Sequence, residues 1–463
     1  MRGDYAAALG LFEEVTRRFP ESSYAVRARL QQAYCHAALG RDSEAAGIAA
    51  EILAQSPSGI DLDKLMRFQF DLGLKTADPA QSVGILELTA ALAPDAALRS
   101  QARVELAGRQ FALGRYEDAW SSCELALRET LDPATRAEAL LMSALSDLAS
   151  DEDWVSGAYR LDRGQERLRE VLGKSTDPSL LAKAQEGVRL SEGLSNAEDT
   201  EQRHIYRMAL RTLGPGDPPA PKLFKRAAKR YHATPVGEVA RFYQAESRRR
   251  SGSLWSAFKT YQKYIEEYPV SARESLAIER EFAIGRELEQ EGSLRRATDV
   301  MEAVAQNNPV GAYADDAYMS LGRIGLQRER FDEARDMFDA VTQNYTRSEW
   351  ASAATYYGGV ADLRQSDGAS NREMLLARAR RSFELYLHIA PDGPFAEEAR
   401  SGLDDCAVKQ AQDMMEIAGF YSRRGQPNSA KVYYRELARL YPRTEAAKAA
   451  NEILAGEPEG SQP

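Results

Sequence analysis

The chain has 463 residues, of which 43% are hydrophobic and 28% are charged, an ordinary composition for a folded globular protein. Because no stretch of about 18 uncharged apolar residues occurs, the sequence predicts no membrane span. The formal net charge of −10 argues against a nucleic acid as the main partner, since proteins that bind nucleic acids usually carry a basic surface.

Amphipathic helices that end just before a proline recur along the chain. An aromatic or small residue precedes the proline at Phe19-Pro20, Ser56-Pro57, Ala93-Pro94, Tyr268-Pro269, Asn308-Pro309, Ala390-Pro391 and Tyr441-Pro442. The first three prolines are 37 residues apart, and Pro269 and Pro309 are 40 residues apart. A helical hairpin of about 34 residues followed by a short loop has this length.

Residues at fixed distances before these prolines indicate paired helices. A small residue comes twelve positions before the proline and, in most units, a large residue comes eight positions before it. The pairs are Ala8 and Phe12, Ala45 and Ala49, Ala257 and Tyr261, Ala297 and Met301, Ala379 and Phe383, and Ala430 and Tyr434; Ala119 with Cys123 and Ala334 with Phe338 keep the spacing without the proline. Small residues let helices approach closely, and large residues fill the groove between neighbours. The sequence therefore predicts an all-α tetratricopeptide (TPR) solenoid of antiparallel helix hairpins.

The same pattern predicts five parts in the chain. Residues 1–131 contain N-terminal repeats, and the first repeat is expected to be incomplete because Gly3-Asp4-Tyr5 corresponds to the turn between its two helices. Residues 132–212 keep helical patterning but lose the repeat spacing, and the Pro- and Gly-rich residues 213–221 are predicted to be a linker. Residues 222–455 hold five regular repeats, and residues 456–463 are predicted to be a disordered tail.

Motifs for catalysis, cofactors and metals are incomplete in this sequence. Gly173-Lys174-Ser175 resembles the end of a phosphate-binding loop, but Leu168 stands where that loop requires glycine. Gly193 to Ala197 departs from a nucleophile elbow at its last position. Cys35, Cys123 and Cys406 lie far apart in apolar-periodic stretches and are predicted to be buried thiols. We therefore predict no enzymatic activity, no cofactor and no metal.

Large side chains in the first helices of the repeats are candidates for protein binding. Counted from the small residues of four first helices, the fifth position holds Phe242, Phe282, Met319 and Met415. This position faces the concave groove of TPR hairpins, where aromatic rings supply contact area and methionine adapts its shape. We predict that these residues bind an extended or unfolded hydrophobic segment. The alternative is that they pack against the next repeat.

One stretch of the acidic chain is strongly basic. Between Pro221 and Arg250, nine basic and two acidic residues give a local net charge of +7. The candidate basic surface consists of Lys222, Lys225, Arg226, Lys229 and Arg230. Such a surface would meet anionic lipid or an acidic partner. The alternative is a helix face exposed to solvent without a partner.

Three parts of the C-terminal repeats carry specific motifs. They are Ser256 to Pro269, the insertion Gln365 to Asn371 followed by Ala379 to Phe383, and Ile417 to Gly425 with Ser429 to Tyr434 and Leu440 to Pro442. Through these motifs, residues from about 222 to 455 resemble the BamD family of outer-membrane assembly lipoproteins. The most specific part of this resemblance is a helix ending in Phe-Tyr-x-Arg-Arg-Gly, followed by a helix ending in Tyr-Pro. The helical residues in front resemble periplasmic TPR proteins of the Tol–Pal system. The signal peptide and lipid-bearing cysteine of the BamD family are not visible in this chain.

The resemblance implies a non-catalytic scaffold in outer-membrane β-barrel assembly, located in the periplasm at the outer membrane. The implied partners are the POTRA segments of the barrel-assembly protein and unfolded outer-membrane proteins, with peripheral contact to the outer membrane. Two alternatives stay open at this point. One is a general TPR adaptor in cell-envelope organisation of the Tol–Pal type, and the other is a cytosolic scaffold for complex assembly.

Overall fold

The computed structural model describes residues 4–55, 61–150 and 154–456, and within these ranges all regular secondary structure is helical. This confirms the prediction of an all-α fold. The chain forms two compact units, residues 1–269 (unit 1) and residues 270–463 (unit 2). The predicted Ser56-Pro57 motif and the predicted tail, apart from Gly456, lie outside the described residues.

Unit 1 contains fourteen described helices. They are α1 (Tyr5–Arg18), α2 (Ser23–Ala38), α3 (Asp42–Gln55), α4 (Leu62–Lys75), α5 (Pro79–Leu92), α6 (Ala96–Ala112), α7 (Tyr116–Leu127), α8 (Pro133–Ala149), α9 (Trp154–Lys174), α10 (Pro178–Ser195), α11 (Thr200–Leu213), α12 (Pro221–Arg230), α13 (Pro235–Arg250) and α14 (Leu254–Glu267).

Unit 2 contains nine described helices, which form four hairpins and a final single helix. They are α15 (Glu274–Gln290), α16 (Leu294–Asn307), α17 (Ala314–Gln327), α18 (Phe331–Asn344), α19 (Ala351–Gln365), α20 (Arg372–Ile389), α21 (Ala396–Arg423), α22 (Pro427–Leu440) and α23 (Glu445–Gly456). The second-helix alanines of the five predicted repeats, Ala257, Ala297, Ala334, Ala379 and Ala430, lie on α14, α16, α18, α20 and α22.

Aspartate followed by proline starts several helices of unit 1. Asp78, Asp132 and Asp177 each cap a helix whose first residue is proline, and each carboxylate accepts a hydrogen bond from a backbone N–H of the first turn. Proline has no N–H to leave unsatisfied at this position, and its φ angle already suits a helix. The aspartate satisfies one of the free N–H groups of the helix start. These helix starts are therefore determined by the Asp-Pro pair itself, that is, by local sequence.

The turns inside most hairpins share one backbone shape. Gly40, Gly114, Gly252, Gly292 and Gly425 follow the first helix of their hairpins with φ between +71° and +75°. In each turn the next residue donates its N–H to a carbonyl five positions earlier, as Ser293 does to Leu288 at 2.9 Å. This is the hydrogen-bond pattern of a left-handed helix C-cap, which favours glycine because a Cβ atom is strained there.

The predicted small and large residues pack together inside the hairpins. Ala257, Ala297, Ala334 and Ala379 are fully buried, as are Tyr261, Met301, Phe338 and Phe383. A Cβ atom on Gly359 of α19 would lie 2.9 Å from the ring of Phe383 on α20, so only glycine leaves room for this ring. The periodic small residues therefore mark helix crossings, as predicted.

Helix α8 forms the centre of the region where the repeat spacing is lost. It packs against α6, α7, α9, α10 and α11, and nearly every residue from Ala137 to Ala149 is buried. A helix surrounded on all sides needs apolar or small residues all round rather than on one stripe. This is why residues 132–212 depart from the pattern of a hairpin repeat.

The predicted linker, residues 213–221, is packed into unit 1. A Cβ atom on Gly214 would collide with the ring of Phe111, and one on Gly216 would lie 2.8 Å from the Cα atom of Ala112. Arg250 donates a hydrogen bond to the carbonyl oxygen of Thr212 at 2.7 Å. The division between the two compact units falls after Pro269 instead. The glycines here allow close packing against α6. A Gly- and Pro-rich composition is equally typical of a flexible linker, so composition alone could not predict this packing.

The three cysteines are buried and form no disulfide. Cys123 and Cys406 are completely inaccessible, and burial raises the pKa of both thiols, that of Cys406 to about 11. A thiol that stays protonated is a poor nucleophile. The prediction of buried core thiols is confirmed.

Candidate protein-binding surfaces

Phe242, the first of the predicted groove residues, lies in the core of the hairpin formed by α13 and α14. It is 1% exposed. Its ring centroid is 5.4 Å from that of Tyr243, 5.8 Å from that of Tyr261 and 5.4 Å from that of Tyr264. In this structure Phe242 offers no surface to a peptide. These three tyrosines belong to its own hairpin rather than to the next repeat.

Met319 on α17 is also buried, with 2% of its surface exposed. It belongs to a cluster with Phe338, Val341 and Ala354, and Trp350 packs against this cluster. The indole Nε1 of Trp350 donates a hydrogen bond to Asp316 at 2.8 Å. Trp350 immediately precedes α19, the first helix of the next hairpin. Met319 is therefore covered by the following repeat.

Phe282 on α15 is half-buried and stacks on Tyr313, with ring centroids 5.2 Å apart. Tyr313 immediately precedes α17, and burial raises the pKa of its hydroxyl. The same arrangement recurs in the next pair of hairpins, where Phe395 precedes α21 and stacks on Tyr356 of α19 at 4.8 Å. An aromatic residue before a first helix thus covers the first helix of the preceding hairpin, a contact that the sequence analysis missed.

Met415 on α21 is half-buried and packs against the cluster that contains Ala418, Ala430 and Tyr434. Of the four predicted groove residues, Phe242 and Met319 are core residues, and Phe282 and Met415 retain partial exposure. The expected wall of four exposed side chains is therefore absent from the described structure. Peptide binding by Phe282 and Met415 stays a prediction.

The last hairpin, α21 with α22, exposes large apolar side chains instead. Phe420 is 45% exposed and Val432 is 62% exposed, and Ile417 is exposed one turn before Phe420. The guanidinium group of Arg424 lies 4.8 Å from the ring centroid of Phe420. Next to these residues, Tyr421 and Tyr433 stack on each other across the two helices at 5.4 Å. The dipeptides Phe420-Tyr421 and Val432-Tyr433 were the available signal, because two neighbouring large residues of a helix cannot both face its core.

A second exposed apolar area lies on the first hairpin of unit 1. An open cleft of about 500 Å³ lies between α1 and α2. It is lined by Phe12 and Val15 of α1, by Phe19 just after α1, and by Tyr24 and Ala28 of α2. Phe19 and Tyr24 are largely exposed. In the later hairpins the residue equivalent to Phe12, such as Phe383, is buried against a glycine of its own first helix. Within the described residues, no helix closes the corresponding space beside Phe12.

The two sequences that resembled catalytic motifs lie on helices. Gly173 and Lys174 are the last residues of α9, and Gly193 to Ser195 are the last residues of α10. A phosphate-binding loop and a nucleophile elbow both require a strand before the turn. Neither segment has that context.

The basic stretch separates into two groups with different environments. Arg241 pairs with Glu267 at 2.8 Å and Arg249 with Glu246 at 3.0 Å, while Arg248 and Arg250 donate hydrogen bonds to backbone carbonyls. The side chains of these four arginines therefore have partners inside unit 1. The five candidate residues, Lys222, Lys225, Arg226, Lys229 and Arg230, are all exposed on α12.

The comparisons with protein families divide along the same line as the compact units. Residues 277–457, which lie in unit 2, match the family model described as outer membrane lipoprotein (YfiO). Residues 2–60, at the beginning of unit 1, match a tetratricopeptide repeat model. The predicted resemblance to the BamD family is confirmed over residues 277–457, and the predicted tetratricopeptide repeats are confirmed over residues 2–60. The first of the five hairpins, α13 with α14, precedes the matched segment.

Two curated relatives carry the name outer membrane protein assembly factor BamD. The protein of Haemophilus influenzae is 21% identical over 145 residues, which are 29% of this chain and 55% of that protein. The protein of Pasteurella multocida is 20% identical over 183 residues, which are 37% of this chain and 70% of that protein. The chain thus spans just over half of the Haemophilus relative.

Solved structures with similar helical repeats include human IFIT1, yeast Tom70 and a signal-transduction ATPase of Pyrococcus horikoshii with a tetratricopeptide repeat sensor. Human IFIT1 with m7Gppp-AAAA is 14% identical, with 95% of each chain covered and a TM-score of 0.25. Tom70 is 13% identical, with 85% of this chain and 97% of that chain covered and a TM-score of 0.23. The Pyrococcus protein is 13% identical, with 94% of this chain and 55% of that chain covered and a TM-score of 0.28.

None of the helices in the described ranges combines the length and the apolar character needed to cross a membrane.

Proposed function

We propose that this protein is a non-catalytic, protein-binding scaffold in the assembly of outer-membrane β-barrel proteins. The observation that supports this most is the match of residues 277–457 to the outer membrane lipoprotein family, which falls within unit 2. The proposed location is the periplasm, in association with the outer membrane. The proposed partners are the POTRA segments of the barrel-assembly protein and unfolded outer-membrane proteins.

The last hairpin is the surface that we propose for POTRA binding. It lies inside the matched segment, and it carries Phe420, Val432 and Arg424 in exposed positions. Aromatic and arginine side chains contribute most of the binding free energy in many protein interfaces, because they bury a large area and also form polar contacts. Full burial of one large apolar side chain contributes about 1.5–3 kcal/mol, or roughly ten- to hundredfold in affinity.

The test measures binding of purified POTRA segments to the full chain by calorimetry. We expect Phe420→Ser and Val432→Ser each to weaken binding by about tenfold or more. Val310→Ser is the matched control, because Val310 is an exposed valine in a loop of the same unit. Failure of the unmodified chain to bind POTRA segments would contradict the proposed function. Unchanged affinity in both variants would contradict only the proposed surface.

A further inference from the structure

The exposed face of α12 carries four cations without an ionic partner. Lys225 and Arg226 each lie three or four residues from both Lys222 and Lys229, which places the four side chains on one side of the helix. Within the described residues, none of the four lies within ion-pair distance of a carboxylate. Their neighbour Arg230 differs, because it pairs with Glu201 at 2.5 Å. The four remaining charges are therefore available to a ligand outside the chain.

The apolar side of α12 anchors this helix firmly in unit 1. Phe224, Ala227 and Ala228 are buried, and the ring centroid of Phe224 is 6.0 Å from that of Tyr243 on α13. Tyr231, immediately after the helix, donates a hydrogen bond to Glu201 at 3.1 Å. The backbone that carries the four cations is thus fixed by packing, and their side chains project together from one helix.

We infer that this face of α12 binds an anionic lipid surface. A specific protein interface needs an apolar or aromatic centre that is fully buried on binding. The apolar residues of α12 point inward, and Leu223 is half-buried, so the exposed face presents charge alone. Lysine ammonium groups are compact, strongly hydrated charges, and an array of them is attracted to phosphate head groups without a fixed shape match.

The net charge of −10 does not prevent this contact. Charges further apart than about 8–10 Å are largely screened at physiological ionic strength, so the membrane responds mainly to the nearest side chains. The basic arginines of α13 are already neutralised or hydrogen-bonded inside unit 1. This inference rests on α12 alone and is independent of the proposed function.

The experiment measures sedimentation of the full chain with vesicles of phosphatidylethanolamine and phosphatidylglycerol in about equal parts. We expect binding that weakens as salt is raised. The fourfold variant Lys222→Glu, Lys225→Glu, Arg226→Glu and Lys229→Glu should bind at least about 100-fold more weakly, because each cation near the surface contributes to the attraction. Its circular dichroism spectrum should match that of the unmodified chain, since none of the four side chains is paired.

A second fourfold variant controls for the change in net charge. It reverses four exposed basic residues elsewhere in unit 1: Arg17→Glu, Arg27→Glu, Lys75→Glu and Lys183→Glu. We expect this variant to keep nearly all vesicle binding. Equal losses in the two variants would overturn the inference, because net charge rather than α12 would then govern binding. The inference would also be overturned if the unmodified chain did not bind vesicles but bound poly-glutamate through α12. That result would favour an acidic protein partner.

Discussion

At the scale of single residues, Glu329 has a backbone conformation that glycine adopts in the equivalent turns. Its φ is +58°, and the following residue, Arg330, donates its N–H to the carbonyl of Gly325 at 2.9 Å, as in the other hairpin turns. Glu329 is exposed, so its side chain has no packing role that would offset this strain. A left-handed conformation is unfavourable for a residue with a Cβ atom.

We therefore expect Glu329→Gly to stabilise unit 2 by about 0.5–1 kcal/mol. The substitution relieves the backbone strain, and the greater flexibility of glycine in the unfolded chain offsets part of this gain. Urea unfolding of the full chain measures the effect. The reverse change in the neighbouring hairpin, Gly292→Glu, should destabilise by a similar amount, because Gly292 has φ of +75°. A lower stability of Glu329→Gly would show that the left-handed turn is not strained.

At the scale of the helical elements, ring contacts within a hairpin and from the following hairpin decide how deeply each predicted groove residue is buried. Phe242 is enclosed by three tyrosines, whereas Phe282 has one stacked neighbour, Tyr313, and keeps a partly exposed ring. The loss of stability when a phenylalanine is truncated depends on how completely its ring is buried and on the size of the cavity that remains. The two phenylalanines should therefore differ in their contributions to stability.

We expect Phe242→Ala to destabilise unit 1 by about 3–5 kcal/mol and Phe282→Ala to destabilise unit 2 by about 1–2 kcal/mol. Thermal and urea unfolding of both variants provide the comparison. If both changes left stability almost unaltered while capture of an unfolded outer-membrane protein was lost, Phe242 and Phe282 would be groove residues after all. The packing contacts described above would then not determine stability.

At the scale of the whole molecule, separate cores should make the two compact units respond independently to substitution. Leu140 lies in the core of unit 1 around α8, and Phe338 lies in the core of unit 2 between α17 and α18. Repeat proteins are stabilised mainly by contacts between neighbouring hairpins, so a cavity in one unit has little effect on a distant one. Long arrays also need not unfold in a single step.

We expect calorimetry of the full chain to resolve two unfolding transitions. Leu140→Ala should lower one of them, and Phe338→Ala should lower the other, each through a loss of about 2–5 kcal/mol in its own unit. A single transition that both substitutions shift equally would contradict this independence. Each substitution also assigns a transition to a unit, because it lowers only the transition of the unit that contains it.

Local sequence determined the hairpins of this protein. Apart from the half-buried first pair, Ala8 and Phe12, the small and large residues at fixed distances before the prolines are buried, because helix periodicity places them on one face. Aspartate-proline and glycine likewise marked helix ends, since their preferences act within a few residues. The resemblance of the C-terminal half to an outer-membrane assembly family also came from short local motifs.

Only the tertiary structure decided what covers each face. Tyr313, Trp350 and Phe395 each pack onto a preceding hairpin and cover part of the face that the sequence analysis assigned to a concave groove. Met319 is buried there, whereas Phe282 keeps partial exposure. The glycines of residues 213–221 serve close packing against α6, and the same residues in a solvated segment would be flexible. Of the nine clustered basic residues, five are exposed on α12, and Arg230 alone of these pairs with a carboxylate among the described residues. The four arginines of α13 form ion pairs or hydrogen bonds inside unit 1. Burial depends on neighbours distant in sequence, which no local pattern records.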